Sequence, residues 1–316
     1  MAVACALTAA ATVLPLVLDS GSGGGAPSGG QRVAQAAPAK AETCTDPEAS
    51  LTPSGADGPT IDRIKKAGHL VVGVDQNSYR WGYRDPANGD RLDGFDIALV
   101  RAIAKNILGS ENKVTYRAIP TNERIEALQE NKVDIVVRTM TINCERVRQV
   151  AFSTAYFQAG QQVLAPRGST ITGYNDTLKG KKVCTATGST AYDALKAKSY
   201  GAVFADTATE QRTVPNQLDC LVKLQLGLVD AVVTDNALAA GQAAQDPAVD
   251  LKGHPFTTEY YGVATKLGND DLVRRINQVL VDYRRGGDES PWMKAYRTWL
   301  AADLKGIEGP PAPKYR

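Results

Sequence analysis

The run Asp134-Ile-Val-Val-Arg138, continuing as Thr139-Met-Thr-Ile-Asn-Cys-Glu-Arg146, constrains this chain more than any other stretch. Val133, Ile135, Val136 and Val137 form a short apolar strand behind a helix-like segment. The strand stops on Arg138, Thr139 and Thr141. Hydroxyls and guanidiniums at a carboxyl end suit the ligand-facing edge of an open α/β sheet. Beyond a polar turn, Arg146 can aim a bidentate guanidinium at a carboxylate. A strand running into a solvated turn with surface arginines would look the same locally, so the rest of the chain decides.

At 316 residues the chain is long enough for two ordinary domains, and 43% hydrophobic content suits globular cores. A net charge of +2 with interspersed signs gives no basic stripe, so no nucleic-acid partner is expected. The two histidines, His69 and His254, are far apart, which leaves little for histidine catalysis or zinc ligation. No Walker A loop, Gly-x-Gly-x-x-Gly or Cys-x-x-Cys occurs, and no metal or cofactor is expected. Residues 1–18 resemble the apolar region of a signal peptide, without the usual basic residues before it. Cys5 after Ala2-Val-Ala4 loosely resembles a lipid-attachment site, although a thiol inside a signal segment is the blander reading. Residues 19–59 are expected to form a disordered leader, rich at first in Gly, Ser, Ala and Pro.

Cys44, Cys144, Cys184 and Cys220 remain, an even number in a chain that looks exported. Four cysteines allow three connectivities. Cys184 ends an apparent strand and Cys220 sits in an apparent helix of the same unit, so we expect these two to pair. Cys44 would then pin the leader to Cys144.

From Thr60 the chain alternates strand and helix. His69–Val74 is a strand ending at Asp75, and Asn88-Gly89 marks a tight turn in the loop that follows. Phe95, Leu99, Ile103 and Ile107 give a helix over 95–108, with Gly109 as its stop. Val114–Ile119 alternates as a strand, and Thr121 is placed to cap a helix running to Asn131. After a crossing segment at 152–160 the same grammar repeats. Strands are expected at 161–165, 182–184, 201–205 and 229–234, with helices opening at Thr187-Gly-Ser-Thr190 and spanning 214–226. A second crossing strand at 259–264 and helices at 270–284 and 291–300 complete the pattern. Such alternation implies largely parallel sheets.

In order and spacing, several pieces resemble the polar-amino-acid family of extracytoplasmic solute-binding proteins that serve ABC transporters. They are Leu70-Val-Val-Gly-Val-Asp75, Leu92-Asp-Gly-Phe-Asp-Ile-Ala98, Met140-Thr-Ile-Asn-Cys-Glu-Arg146 with Phe152-Ser153, and Gly180-Lys-Lys-Val183 with Thr187-Gly-Ser-Thr190. Val229-Asp-Ala-Val-Val-Thr-Asp235, Tyr261-Gly-Val-Ala264 and Trp292–Leu300 follow. The chain departs from the family at Arg138-Thr139, at Cys144 and in Tyr79-Arg-Trp-Gly-Tyr83.

The resemblance implies an α/β, two-lobe periplasmic-binding-protein-like fold of type II. Each lobe would be a mainly parallel sheet flanked by helices, with two crossing strands as hinge. Lobe one would be 60–157 plus 260–302, lobe two 158–259, and 303–316 a flexible tail. It also implies an amino-acid ligand in the cleft, an ABC permease as partner, an extracytoplasmic monomer and no catalysis. A sensor with a membrane partner is an alternative, and so, less favoured, is a dehydratase on this fold.

On that template Arg146 and Thr141 would hold the α-carboxylate, and the helix opening at Thr187, Gly188, Ser189 and Thr190 would offer further N–H groups. Asp235 would take the ammonium, although Asp there is also a common N-cap. Phe95 with Tyr79 or Trp81 would form the wall, Phe95 being equally a core candidate. Asp75 and Thr139 complete the expected set. Arg138 and Arg80 would select an acidic side chain, glutamate or aspartate, since a buried guanidinium without an anion is costly. If Arg138 instead pairs with a protein carboxylate such as Glu145 or Asp93, the pocket becomes neutral and suits glutamine.

Overall fold

A computed structural model describes residues 44–85, 89 and 91–316. The signal-like segment, Cys5, the leader up to residue 43 and Asn88 of the expected turn lie outside the described residues. The two disulfides join Cys44 to Cys144 and Cys184 to Cys220, as expected.

Helix α1 (Pro59–Ala67) opens on a proline, whose missing N–H costs nothing at a first turn, and stops on Gly68. Strand β1 (Leu70–Val74) is buried on both faces, as a central parallel strand must be. Short strands β2 (Asn77–Ser78), β3 (Gly82–Arg84) and β4 (Leu92–Asp93) form a small separate sheet. It leads into α2 (Phe95–Leu108) through Gly94, whose φ is 132° and where a Cβ would lie 2.3 Å from the Trp81 carbonyl oxygen. Only glycine fits there. Strand β5 (Val114–Ala118), helix α3 (Arg124–Gln129), β6 (Ile135–Val136) and β7 (Val150–Phe152) follow. Thr121 does not cap a helix; it begins a 3₁₀ turn at Thr121–Glu123, and α3 starts after it.

Strand β8 (Phe157–Ala159) crosses to the second lobe. There β9 (Gln161–Pro166), β10 (Val183–Ala186), α4 (Thr190–Ala197), β11 (Thr213–Val214), α5 (Gln217–Gln225), β12 (Ala231–Asp235), α6 (Asn236–Gln245) and β13 (Val249–Lys252) follow in turn. The strand expected at 201–205 is a single bridge, Lys182 to Val203, and Thr213–Val214 takes the sheet edge. Residue 214 is therefore in a strand, and α5 begins three residues later than its apolar pattern suggested. Strand β14 (Glu259–Tyr261) returns antiparallel to β8, and β15 (Ala264–Lys266), α7 (Asp270–Arg284) and α8 (Pro291–Trp299) complete lobe one.

The two large sheets have orders β5-β1-β6-β15-β7 and β11-β10-β12-β9-β13. Each joins two parallel pairings to two antiparallel ones, so the sheets are mixed where a mainly parallel arrangement was expected. The antiparallel half follows from the crossing strands. β15 enters lobe one directly from β14, and β9 enters lobe two directly from β8, so neither has the helical crossover that a parallel partner needs. In lobe one, beside the crossing strands, Trp81, Phe95, Phe157, Tyr261 and Trp292 stack in edge-to-face and parallel contacts, with ring centroids 4.8–6.0 Å apart.

Residues read as leader and tail are tied down in part. Ser50 is buried, donates to the Phe152 carbonyl and accepts from Asn277 Nδ2. Ser50 also bridges Tyr315, and the Lys314 N–H donates to Thr154 Oγ1. Where a flexible tail was expected, its last residues pair with lobe one.

The Cys184–Cys220 bond joins β10 to α5 across 36 residues, inside the core of lobe two. Replacing both by serine is expected to lower unfolding free energy by about 2–4 kcal/mol. Urea denaturation of the double variant checks this, and an unmoved midpoint would contradict it.

Candidate functional site

The carboxyl ends of β1, β6 and β12 and the amino ends of α4 and α6 converge on one cleft between the lobes. Its walls include Asp75, Thr121, Arg124, Arg138, Thr139, Thr141 and Arg146 from lobe one. Lobe two contributes Ser189, Thr190, Gln217, Thr234, Asp235 and Leu238. Counting its open mouth, the cleft holds about 390 Å³ of empty space. No histidine lines it, and no group of His, Cys, Asp or Glu among the described residues is placed to hold a metal ion.

Arg146 sits in a 3₁₀ turn whose first N–H is held by Asn143 Oδ1. Its Nη1 donates to the Thr141 carbonyl at 2.9 Å, and its Nη2 crosses the cleft to the Gly188 carbonyl at 3.1 Å. Both partners are neutral, and burial lowers its pKa from the ordinary guanidinium value. Asp235 ends β12 and occupies the N-cap position of α6, yet makes no capping bond. Instead Oδ2 accepts from the Tyr261 hydroxyl at 2.5 Å, leaving the carboxylate turned to the cleft. Burial, with the charge of Glu259 behind it, pushes its pKa up to about 7.

Arg138 is 2% exposed and carries a counter-ion: Nη2 lies 3.0 Å from Asp75 Oδ2. Asp75 also accepts the N–H groups of Gln76 and Asn77 and the Ser78 hydroxyl. The premise of an unpaired Arg138 is thus overturned, and its partner is neither Glu145 nor Asp93. Asp93 instead pairs with Arg91 and Arg101.

Arg124, like Arg146, has no carboxylate within ion-pair distance among the described residues. It is 4% exposed, its Nε donates to the Thr121 carbonyl and its Nη1 to the Arg138 carbonyl. Burial, then repulsion from Arg146 and Arg138, drives its pKa well down. It falls within the helix expected from Thr121 to Asn131, where no local signal marks it as a cleft residue, and it is the first residue of α3.

Thr139 has φ 41°, an unusual conformation for a threonine, and its N–H is held by Asp96 Oδ2 at 3.1 Å. Tyr156 donates to the other Asp96 oxygen at 2.8 Å, and burial pushes the Asp96 pKa up to about 7. Ser189 caps α4 by accepting the Tyr192 N–H. Thr190 Oγ1 accepts from Gln161 Nε2 and donates to Glu259 Oε2, so its hydroxyl proton is committed. Thr187 and Gly188 are exposed, and only the Gly188 carbonyl takes part, through Arg146.

Four expected site residues, the three wall candidates and Arg80, are not among the residues lining the cleft. Phe95 and Trp81 are buried in the aromatic core, and Trp81 Nε1 donates across the lobes to the Ala237 carbonyl at 3.1 Å. Tyr79 packs edge-on against Tyr83, while Arg80 lies over the Tyr79 ring and pairs with Asp303 at 2.9 Å. An aromatic-rich loop reads alike whether it faces a ligand or plugs a core, which is why the two were not separable in sequence.

Residues 70–301 match the bacterial extracellular solute-binding proteins, family 3, and the chain belongs to that family. It is 34% identical over 244 residues to the ABC transporter glutamine-binding protein GlnH of Bacillus subtilis (strain 168), covering 77% of this chain and 85% of the relative. The L-glutamate/L-aspartate-binding protein of Pseudomonas aeruginosa is 27% identical over 258 residues, covering 78% and 82%. The crystal structure described as an ancestral arginine-binding protein bound to glutamine aligns with a TM-score of 0.65 at 36% identity, covering 74% and 98%.

Because Asp235 holds its proton more tightly when folded, its contribution favours folding at low pH and is lost as pH rises from its ordinary 3.8 through about 7. Asn at this position has no charge to bury. The wild type is therefore expected to lose stability relative to Asp235→Asn across that window. Denaturation midpoints at several pH values check this, and parallel profiles would remove the assignment.

Proposed function

We propose that this protein captures an acidic L-amino acid, glutamate or aspartate, by closing two lobes over it, and delivers it to an ABC permease outside the cytoplasm. Membership of the family supports the receptor role, and the cleft's charges support the ligand class. A zwitterionic amino acid needs one anion clamp and one cation partner. Arg146 with Thr141 supplies the first and Asp235 the second. Arg138 and Asp75 neutralise each other. Arg124 is left over, buried and bonded to carbonyl oxygens alone. It is the observation that carries the proposal, because a buried guanidinium is stable only when its charge is matched. A second carboxylate on the ligand is the partner it lacks, so the selecting role passes from Arg138 to Arg124.

Glutamine is the second reading, favoured by the names of two of the similar proteins. Arg124 would then bond the ligand's amide oxygen and remain uncompensated in charge. A sensor that binds the same ligand and signals through a membrane partner shares this site chemistry; recovery of a permease or of a signalling protein on the immobilised receptor separates the two. A dehydratase on this fold is tested by incubating the pure protein with prephenate-like compounds and looking for turnover.

Calorimetry at neutral pH is expected to show glutamate and aspartate binding more tightly than glutamine. Arg124→Gln should erase that preference, with a loss for glutamate of about 2–5 kcal/mol, typical of removing one partner of a desolvated charge pair. Tighter glutamine binding by the wild type would favour the second reading. Arg146→Ala should weaken both ligands by a similar amount, since both carry the α-carboxylate; wild-type affinity in that variant would take Arg146 out of the site.

A further inference from the structure

Asn216 precedes α5, the position where asparagine ordinarily turns its side-chain oxygen onto the free N–H groups of its own helix. Its backbone has the extended geometry of such a cap, with φ −132° and ψ 148°, yet the side chain makes no capping bond. Oδ1 accepts instead from Arg138 Nη2, on the other lobe, at 2.9 Å. Arg138 is fixed from its own side: Nη2 also meets Asp75 Oδ2 at 3.0 Å, and Nη1 donates to Thr121 Oγ1 at 2.8 Å. Alongside, the Thr121 N–H donates to the Pro215 carbonyl at 3.0 Å, a second bond across the same seam. A rigid donor on lobe one thus holds an acceptor on lobe two that has another use close by.

We infer that Asn216 and Arg138 form a closure latch, a positioning pair that acts on the open–closed equilibrium and not on the ligand; the inference rests on the two-lobe receptor reading. In the closed form Oδ1 serves Arg138. On opening, that bond breaks and Oδ1 turns back onto the first N–H groups of α5. Arg138 keeps its counter-ion throughout, because Asp75 lies on its own lobe. Exchanging one bond for another keeps the two forms close in free energy, so a ligand that touches both lobes can shift the population with a modest difference in affinity. An asparagine serves both states because its carbonyl oxygen is a capping acceptor and its reach spans the seam.

The test separates the two uses. Asn216→Ser keeps a capping hydroxyl but is too short to reach Arg138. Its ligand-free melting temperature should match wild type. Its Kd for glutamate and for glutamine should rise by one common factor, about three- to tenfold, through faster dissociation. Asn216→Asp, which adds charge to the same bond, should slow dissociation. A wild-type dissociation rate in the serine variant overturns the latch. So does a loss confined to one ligand, which would make Asn216 a ligand contact. Small-angle scattering of the ligand-free proteins reads the latch independently, the serine variant being expected to have the larger radius of gyration; equal radii overturn it. Should the wild type bind no amino acid, the receptor reading falls, and the scattering comparison still decides the latch.

Discussion

Three guanidiniums, those of Arg124, Arg138 and Arg146, are held out of water in one cleft, and the local structure answers to their need for partners. An ion that leaves water loses several kcal/mol of solvation unless charge and hydrogen bonds replace it. Arg138 is compensated within the protein by Asp75, itself fixed by two backbone N–H groups and a serine hydroxyl. Arg146 and Arg124 have only carbonyl oxygens, and their pKa values fall accordingly. Asp235 is the mirror case, a buried carboxylate whose charged form is disfavoured. The buried charges of the cleft are thus unequally matched within the protein, and the proposed preference for an acidic amino acid rests on that imbalance.

Much of this was legible in the chain itself. Long apolar periods fixed α2 and α7 at their ends, because Gly109 at one stop and the Asp270-Asp271 start at the other are local signals. Cys184–Cys220 followed from strand and helix placement, and Cys44–Cys144 was the pair then left. What failed failed for identifiable reasons. Residues 201–205 have the alternation of a strand, but only Val203 bridges Lys182, and the edge position went to Thr213–Val214. Arg124 escaped notice because a charged residue in a first helical turn usually faces solvent; only the fold shows the strand ends it adjoins. Phe95 carried both a core reading and a ligand reading and Trp81 a ligand reading, and aromatic packing put both in the core.

Strain and polarity gather at the same place. Thr139 accepts a left-handed backbone and is held there by Asp96, a carboxyl whose pKa burial pushes up to about 7. Distortions of this kind cost of order 1–3 kcal/mol and persist where surrounding contacts over-determine them. Here they set the spacing between the strand end at Val136 and the hydroxyl of Thr141, so the core beneath the cleft and its polar lining form one construction.

The bridge between Ser50 and Tyr315 gives the molecule a mechanical asymmetry. Both ends of the described chain rest on lobe one, one of them fastened again by Cys44–Cys144. The chain passes to lobe two and back through β8 and β14. A pull applied between those ends runs through lobe one and bypasses the hinge. Tension on the chain therefore does no work on the cleft, and lobe two lies outside the loaded path.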